Sequence, residues 1–257
     1  MFLIKQILSL FFLIIVVDCQ LIKLKTMKKI IYILTFFFSL SISAQDLYWY
    51  DVILDVKNNE SKAFEKAVDE FYSSVDFPEG VTMTFSNIQI KGQNFKETHI
   101  LSFVSPSSKS LADFRSSLSG DKWEEYLDVV RPYINSARTS VGNASNLYNE
   151  EEFNPIGQAW AFKVKNINIP AFTNAFIKSM ETIQFPGFVG LARVTHGLSN
   201  GENIIIYGTY SDLNEAFTFE SPKNDAEAKA FAEFFEVTAE IAEFTQTWTR
   251  VKIKDYN

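Results

Sequence analysis

The chain has 257 residues, 47% hydrophobic and 21% charged, an ordinary globular balance with enough apolar material for one or two packed domains. Its formal charge of −7 is unevenly spread: residues 1–44 hold Lys5, Lys23, Lys25, Lys28 and Lys29 against Asp18, a net of +4, so the rest carries −11. A body that acidic excludes nucleic acid as a partner, because phosphate binding needs clustered Lys and Arg.

Residues 1–44 read as a leader. From Met27, Lys28 and Lys29 form a basic start, Ile30 to Leu40 an apolar stretch, and Ser41 to Ala44 a run in which small residues precede a cut before Gln45. This is the pattern of a bacterial secretory signal peptide and predicts a periplasmic or secreted protein, with no membrane segment in the mature form. The upstream stretch from Phe2 to Val17 is apolar but slightly short for a span, and a start at Met27 accounts for it most simply. Cys19 is the only cysteine, so the remainder has no disulfide, no thiolate nucleophile and no cysteine metal site. Of the 25 phenylalanines, Phe2, Phe11, Phe12, Phe36, Phe37 and Phe38 fall in the leader; the others can fill a core or line an apolar cavity.

From residue 45 the chain repeats itself at a spacing of about 108. Val56-Lys57-Asn58 matches Val164-Lys165-Asn166, Ala63-Phe64 matches Ala171-Phe172, Phe77-Pro78 matches Phe185-Pro186, and Glu125 and Val129 fall on Glu233 and Val237. The reading is therefore a first repeat over 45–150 and a second over 151–257. Tyr48 to Val56 alternates as a strand, with Trp160, Phe162 and Val164 as its counterpart. A helical stripe follows (Ala63, Phe64, Ala67, Val68, Phe71; then Ala171, Phe172, Ala175, Phe176), with Pro170 suited to a first helical turn. Two strands come next, Val81 to Ile90 and Thr98 to Val104, matched by Val189 to His196 and Asn203 to Tyr210. Second helices begin near Asp121 and Asn224, where capping boxes are expected. A last strand is clear at Thr247 to Lys254 and faint around Thr139 to Tyr148.

The order β-α-β-β-α-β, twice, is that of the ferredoxin-like unit, an antiparallel sheet with both helices on one face. The predicted class is α+β, with two tandem ferredoxin-like units packed sheet to sheet as a pseudo-dimeric α/β barrel. In topology this resembles the dimeric α/β-barrel superfamily, which includes antibiotic-biosynthesis-type monooxygenases, dye-decolorising peroxidases and chlorite dismutase relatives. The resemblance implies a ligand cavity between the sheets.

Alternation assigns Val52, Leu54, Val56, Trp160, Phe162 and Val164 to the helix side. It points Trp49, Asp51, Ile53, Asp55, Ala159, Ala161 and Lys163 inward. Asp51 and Asp55 stand about 13 Å apart on an extended strand, too far for a carboxylate dyad. The two histidines, His99 and His196, have Arg250 and Arg193 as nominal partners for a haem site, although His196 adjoins an exposed Gly-rich turn. No phosphate loop, nucleophile elbow or zinc-binding helix motif occurs. The barrel monooxygenases hold electron-rich aromatics with Asn, Trp and His, types present on strands here as Asn87, Trp49, Trp160, Trp248 and His99.

The expectation is an exported, non-catalytic protein binding a small apolar or aromatic ligand, or a protein partner, between its sheets. Trp49, Asp51, His99, Arg193, Trp248 and Arg250 are its candidate contacts, and no cofactor or metal is expected. A cofactor-free monooxygenase-like enzyme is the alternative, and a haem-binding barrel the next.

Overall fold

The structure, a computed structural model, describes residues 46–197 and 199–257. The leader, its Met27 start and its cleavage near Ala44 lie outside the described residues, as does Leu198.

Eight strands form: β1 Leu47–Val56, β2 Thr82–Lys91, β3 His99–Ser105, β4 Ile134–Tyr148, β5 Ile156–Val164, β6 Val189–His196, β7 Ile204–Tyr210 and β8 Ala242–Tyr256. The helices are α1 Ser61–Tyr72, α2 Ser108–Ser117, α3 Asp121–Val130, α4 Ile169–Met180, α5 Leu213–Thr218 and α6 Asp225–Ile241. Two ferredoxin-like units are present, each with one more short helix (α2 and α5) than the sequence pattern suggested. Both short helices begin at a side-chain cap: the Ser107 hydroxyl accepts from Ser110 N, and the Asp212 carboxylate from Glu215 N. At Asn224 the expected cap forms, with Asn224 Oδ1 accepting from Glu227 N at 3.0 Å, but the return bond of a capping box is shifted by one residue, Glu227 Oε2 accepting from Lys223 N at 2.7 Å. The one expected at Asp121 does not form: Asp121 is already helical and Gly120, at φ 81°, occupies the cap without a side chain to offer.

The strand order is a closed barrel, β1-β3-β2-β8-β5-β7-β6-β4, with every neighbouring pair antiparallel. The two units do more than stack. Edge strand β2 of the first hydrogen-bonds to β8 of the second, and β6 to β4, so neither sheet keeps a free edge. Strand β4, faint in the sequence, runs 15 residues because it pairs with β1 on one side and β6 on the other. Its Asn, Gly and Ala residues have weak strand preference, and pairing on both sides overrides it.

Two cores hold the helices on the outside. Phe64, Val68, Phe85, Phe103 and Phe114 pack with Leu54 and Val56 on one side of the barrel. Phe172, Phe176, Val164, Leu191 and Tyr210 do the same on the other. Burial of each such phenylalanine contributes about 1.5–3 kcal/mol. The assigned faces hold: Val52, Trp160 and Phe162 pack against these outer cores, while Trp49, Ile53, Ala159 and Ala161 pack inside.

Candidate functional site

The barrel interior is asymmetric along its axis. One end is filled by Ile53, Ile88, Ile100, Ala161 and Trp248, with Phe95 from the β2–β3 connection laid 5.5 Å from the Trp248 ring. Arg138 covers this plug, its guanidinium 5.3 Å from the Phe95 ring centre and its Nε donating to Glu97 Oε1 at 2.5 Å. Toward the other end lies a cavity of about 100 Å³, lined by Trp49, Asp51, Ser102, Ala159, Ile205, Tyr207, Trp248 and Arg250 among others. A mouth space of about 260 Å³ adjoins it and shares Ser102, Val104, Phe153, Tyr207 and Arg250. Neither reaches the volume of an ordinary small-molecule site, about 300–1,000 Å³, but the two together do.

Phe153 stands at the mouth, 45% exposed and stacked on Phe188 with centroids 4.2 Å apart. Its connection is tied down. Glu152 O accepts from Phe188 N at 2.8 Å and from Thr209 Oγ1 at 3.0 Å, and Pro155 O accepts from Lys252 N at 2.8 Å.

The polar groups of the cavity come from both units. Asp51 on β1 pairs across the ladder with Ser102 on β3 and Ser140 on β4, so all three side chains emerge on the inner face. Arg250 on β8 crosses the interior: its Nη1 donates to Ser102 Oγ at 2.5 Å and its Nε to Tyr207 Oη at 2.9 Å. Its guanidinium also lies 4.8 Å from the Tyr207 ring centre, a cation–π contact. Burial pushes the Asp51 carboxyl above the usual carboxylate range; the charge of Arg250, the hydroxyls of Ser102 and Ser140, and the charge of Arg138 pull the other way. Among the described residues no cation lies within 4 Å of Asp51 to cancel its charge outright. A carboxyl so placed is poised to exchange a proton rather than to stay ionised.

Two glycines make room for this arrangement. A Cβ on Gly157 would fall 2.1 Å from Tyr207 Oη and 3.0 Å from Arg250 Nε. A Cβ on Gly142 would fall 2.2 Å from the Trp49 ring, its neighbour across the ladder.

Of the six residues nominated from the sequence, Trp49, Asp51, Trp248 and Arg250 are brought together around the cavity. His99 and Arg193 are not. His99 points outward, buried between Phe64 and Phe85, with Nε2 at 3.2 Å from Glu65 Oε1 and Nδ1 at 2.9 Å from Thr98 Oγ1. Burial holds its imidazole below the usual histidine range, against the pull of Glu65. Arg193 is exposed, on the opposite face of β6 from the inward Ala192 and Val194. His196 is exposed at the strand end. Trp160 packs in an outer core, and Asn87 pairs with the outward His99. A haem site built on these histidines therefore does not fit: neither imidazole faces the cavity, and both ring nitrogens of His99 are engaged. Ser102, Ser140, Tyr207, Gly142 and Gly157 were missed. Alternation carried through β3, β4 and β7 would have turned Ser102, Ser140, Gly142 and Tyr207 inward, and carried to the first residues of β5 it would have added Gly157.

A groove of about 340 Å³ also lies between α4 and α6, walled by Lys178, Glu181, Lys229 and Glu233. Its charges are spent on one another at the surface, Lys178 Nζ lying 2.6 Å from Glu233 Oε2, so it has no converging groups to offer a ligand.

No family model matches the sequence, and no curated protein does. Solved structures do. A candidate monooxygenase from Fusobacterium nucleatum superposes with a TM-score of 0.60 at 12% identity, over 84% of this chain and 96% of the other. An anthrone oxidase-like protein gives 0.58 at 11%, over 83% and 93%. A candidate monooxygenase from Lactobacillus acidophilus NCFM gives 0.56 at 11%, over 82% and 96%. These neighbours run against the expectation of a non-catalytic binding protein, since the barrels this chain resembles are named for oxidation chemistry. In architecture the chain is a dimeric α/β barrel, with both ferredoxin-like halves on one polypeptide.

Proposed function

We propose that the chain is a cofactor-independent, monooxygenase-like enzyme that oxidises a small electron-rich aromatic molecule inside the barrel. The observation that carries this reading is Asp51, a carboxyl with a raised pKa in a cavity lined mainly by aromatic and aliphatic side chains, whose lining cation, Arg250, reaches in from the opposite unit. The names of the structural neighbours, candidate monooxygenases and an anthrone oxidase-like protein, point the same way.

The chemistry needs a substrate with an acidic C–H beside an aromatic ring and an oxygen function. Asp51, ionised, takes that proton, and the electron pair left on carbon spreads toward the oxygen, where the charge of Arg250 lowers its energy. The electron-rich carbon then bonds to O2, and the resulting peroxide anion takes the proton back from Asp51. Loss of water leaves a ketone. A CH2 group and O2 thus become C=O and H2O: the carbon is oxidised, O2 is reduced, and one oxygen atom goes to each product. Trp49 and Trp248 hold the ring, and the plug behind Trp248 keeps bulk water from that end.

An oxygen electrode tests this with the full chain and anthrone as substrate. Uptake above the protein-free background is expected, falling about 10²–10⁴-fold in Asp51→Asn. Uptake equal in the two proteins would contradict the role given to Asp51.

A further inference from the structure

Arg250 is a half-buried cation whose two protein partners, Ser102 and Tyr207, are neutral hydroxyls. Among the described residues no carboxylate lies within the 4 Å of an ion pair with it. The other charges at the mouth are satisfied. Lys252 Nζ sits 2.8 Å from Asp255 Oδ2, and Asp255 Oδ1 accepts from Thr84 Oγ1 at 2.7 Å. Arg250 is partly withdrawn from water and reached by solvent only from the mouth, so a ligand that excludes that water gains by bringing a counter-charge. Ser102 and Tyr207 hold the guanidinium from behind, and Gly157 gives the Tyr207–Arg250 pair its space. The two hydroxyls take Nε and one Nη1 proton and leave Nη2 without a protein partner, in a side chain that lines both the inner cavity and the mouth. Apolar surface faces this open edge from Leu47, Val104, Phe153 and Phe188.

From this geometry we infer that the ligand supplies the missing counter-charge: it is an aromatic molecule bearing an anionic oxygen, a carboxylate or an ionised phenol, seated on the open edge of Arg250. The inference rests on reading the barrel interior as the substrate site, and it narrows that reading to acidic aromatics. The planar fork of Arg suits such an oxygen group, and hydrogen bonds to a charged partner are roughly twice as strong as neutral ones. The body of the ligand lies against Phe153 and Phe188 and extends inward toward Trp49, with Asp51 beyond ion-pair reach of the cation.

Calorimetric titration of the full chain at pH 8 with benzoate, 4-nitrophenolate and benzamide tests this without any turnover. At least one anion is expected to bind about 10- to 100-fold more tightly than benzamide. Arg250→Gln should abolish that preference, and Arg250→Lys should keep part of it. If benzoate alone is preferred, the anion is a carboxylate; if the phenolate alone, a phenol. Equal affinity for all three, no binding of any, or a preference that survives in Arg250→Gln would overturn the inference. Arginine-dependent anion binding with no oxygen uptake would leave it standing and remove the oxygenase reading instead. Oxygen uptake with neutral substrates only would do the reverse.

Discussion

The two halves of the barrel share a backbone plan and differ almost completely on their inner faces. On β1, Trp49 and Asp51 point inward; the corresponding residues of β5 are Gly157 and Ala159. Asp51 is flanked by Ser102 and Ser140, whereas Ala159 is flanked by Tyr207 and Trp248. Trp49 faces Gly142 across the ladder, whereas Gly157 faces Arg250. Bulk in one half thus meets glycine in the other position of the same row, twice, in opposite sense. A symmetric interior would put either two Trp49-like rings or two Arg250-like cations into a cavity of about 100 Å³. The duplicated chain escapes this by letting the halves diverge, so that the first supplies the carboxyl and the second the cation of a single site.

That comparison can be broken at each of its members. The largest effect is expected from Asp51→Asn, with oxygen uptake reduced about 10²–10⁴-fold. Its pH dependence has a definite sign. Burial raises the Asp51 pKa, so between the ordinary carboxylate range and that raised value the folded chain keeps a proton that the unfolded chain has lost. The Asp51 contribution to stability therefore falls as pH rises through that window. Urea denaturation should find Asp51→Asn more stable than the parent at neutral pH, with the advantage vanishing below the carboxylate range. The acid limb of the parent's rate profile should lie above the ordinary carboxylate pKa of about 4.

Gly157→Ala ranks next. Its Cβ must displace Tyr207 and Arg250, and a shift on the order of 1 Å at a reacting group can cost about 10²-fold in rate. Gly142→Ala acts on packing instead: the new methyl meets both the Trp49 ring and the Arg193 carbonyl oxygen at 2.2 Å. Chemical denaturation should show a loss of about 1–3 kcal/mol. Tyr207→Phe should have the smallest effect, because it removes a single hydrogen bond to the half-buried Arg250 while keeping the ring beneath it. Steady-state kinetics should show a modest rise in KM with Asp51-dependent turnover retained.

Much of this was legible in the sequence, for a physical reason in each case. The repeat and the alternation of β1 and β5 fixed which residues face inward, because one face of each strand must meet the helices. That turned Trp49 and Asp51 inward, while Trp248 and Arg250 were nominated by residue type; the structure brings all four around one cavity. His99 misled because its type suggests chemistry, yet it sits in register with outward Leu54 and Asn87. Ser102 and Tyr207 carry no motif; they matter only because β3 and β7 flank Asp51 and Ala159, which is a matter of pairing that composition does not encode. The barrel itself was expected from the topology; only the β2–β8 and β6–β4 pairings that close it were not legible, since edge pairing leaves no local signature.

The most direct test of the central claim, that one asymmetric interior performs an oxidation with Asp51 as its proton carrier, is isotopic. The full chain would be supplied with anthrone under 18O2, and the quinone product weighed by mass spectrometry. The account predicts one 18O atom per new carbonyl, formed in the parent far faster than in Asp51→Asn. Product formation at the same rate in both proteins, or label that enters from water instead of O2, would contradict it.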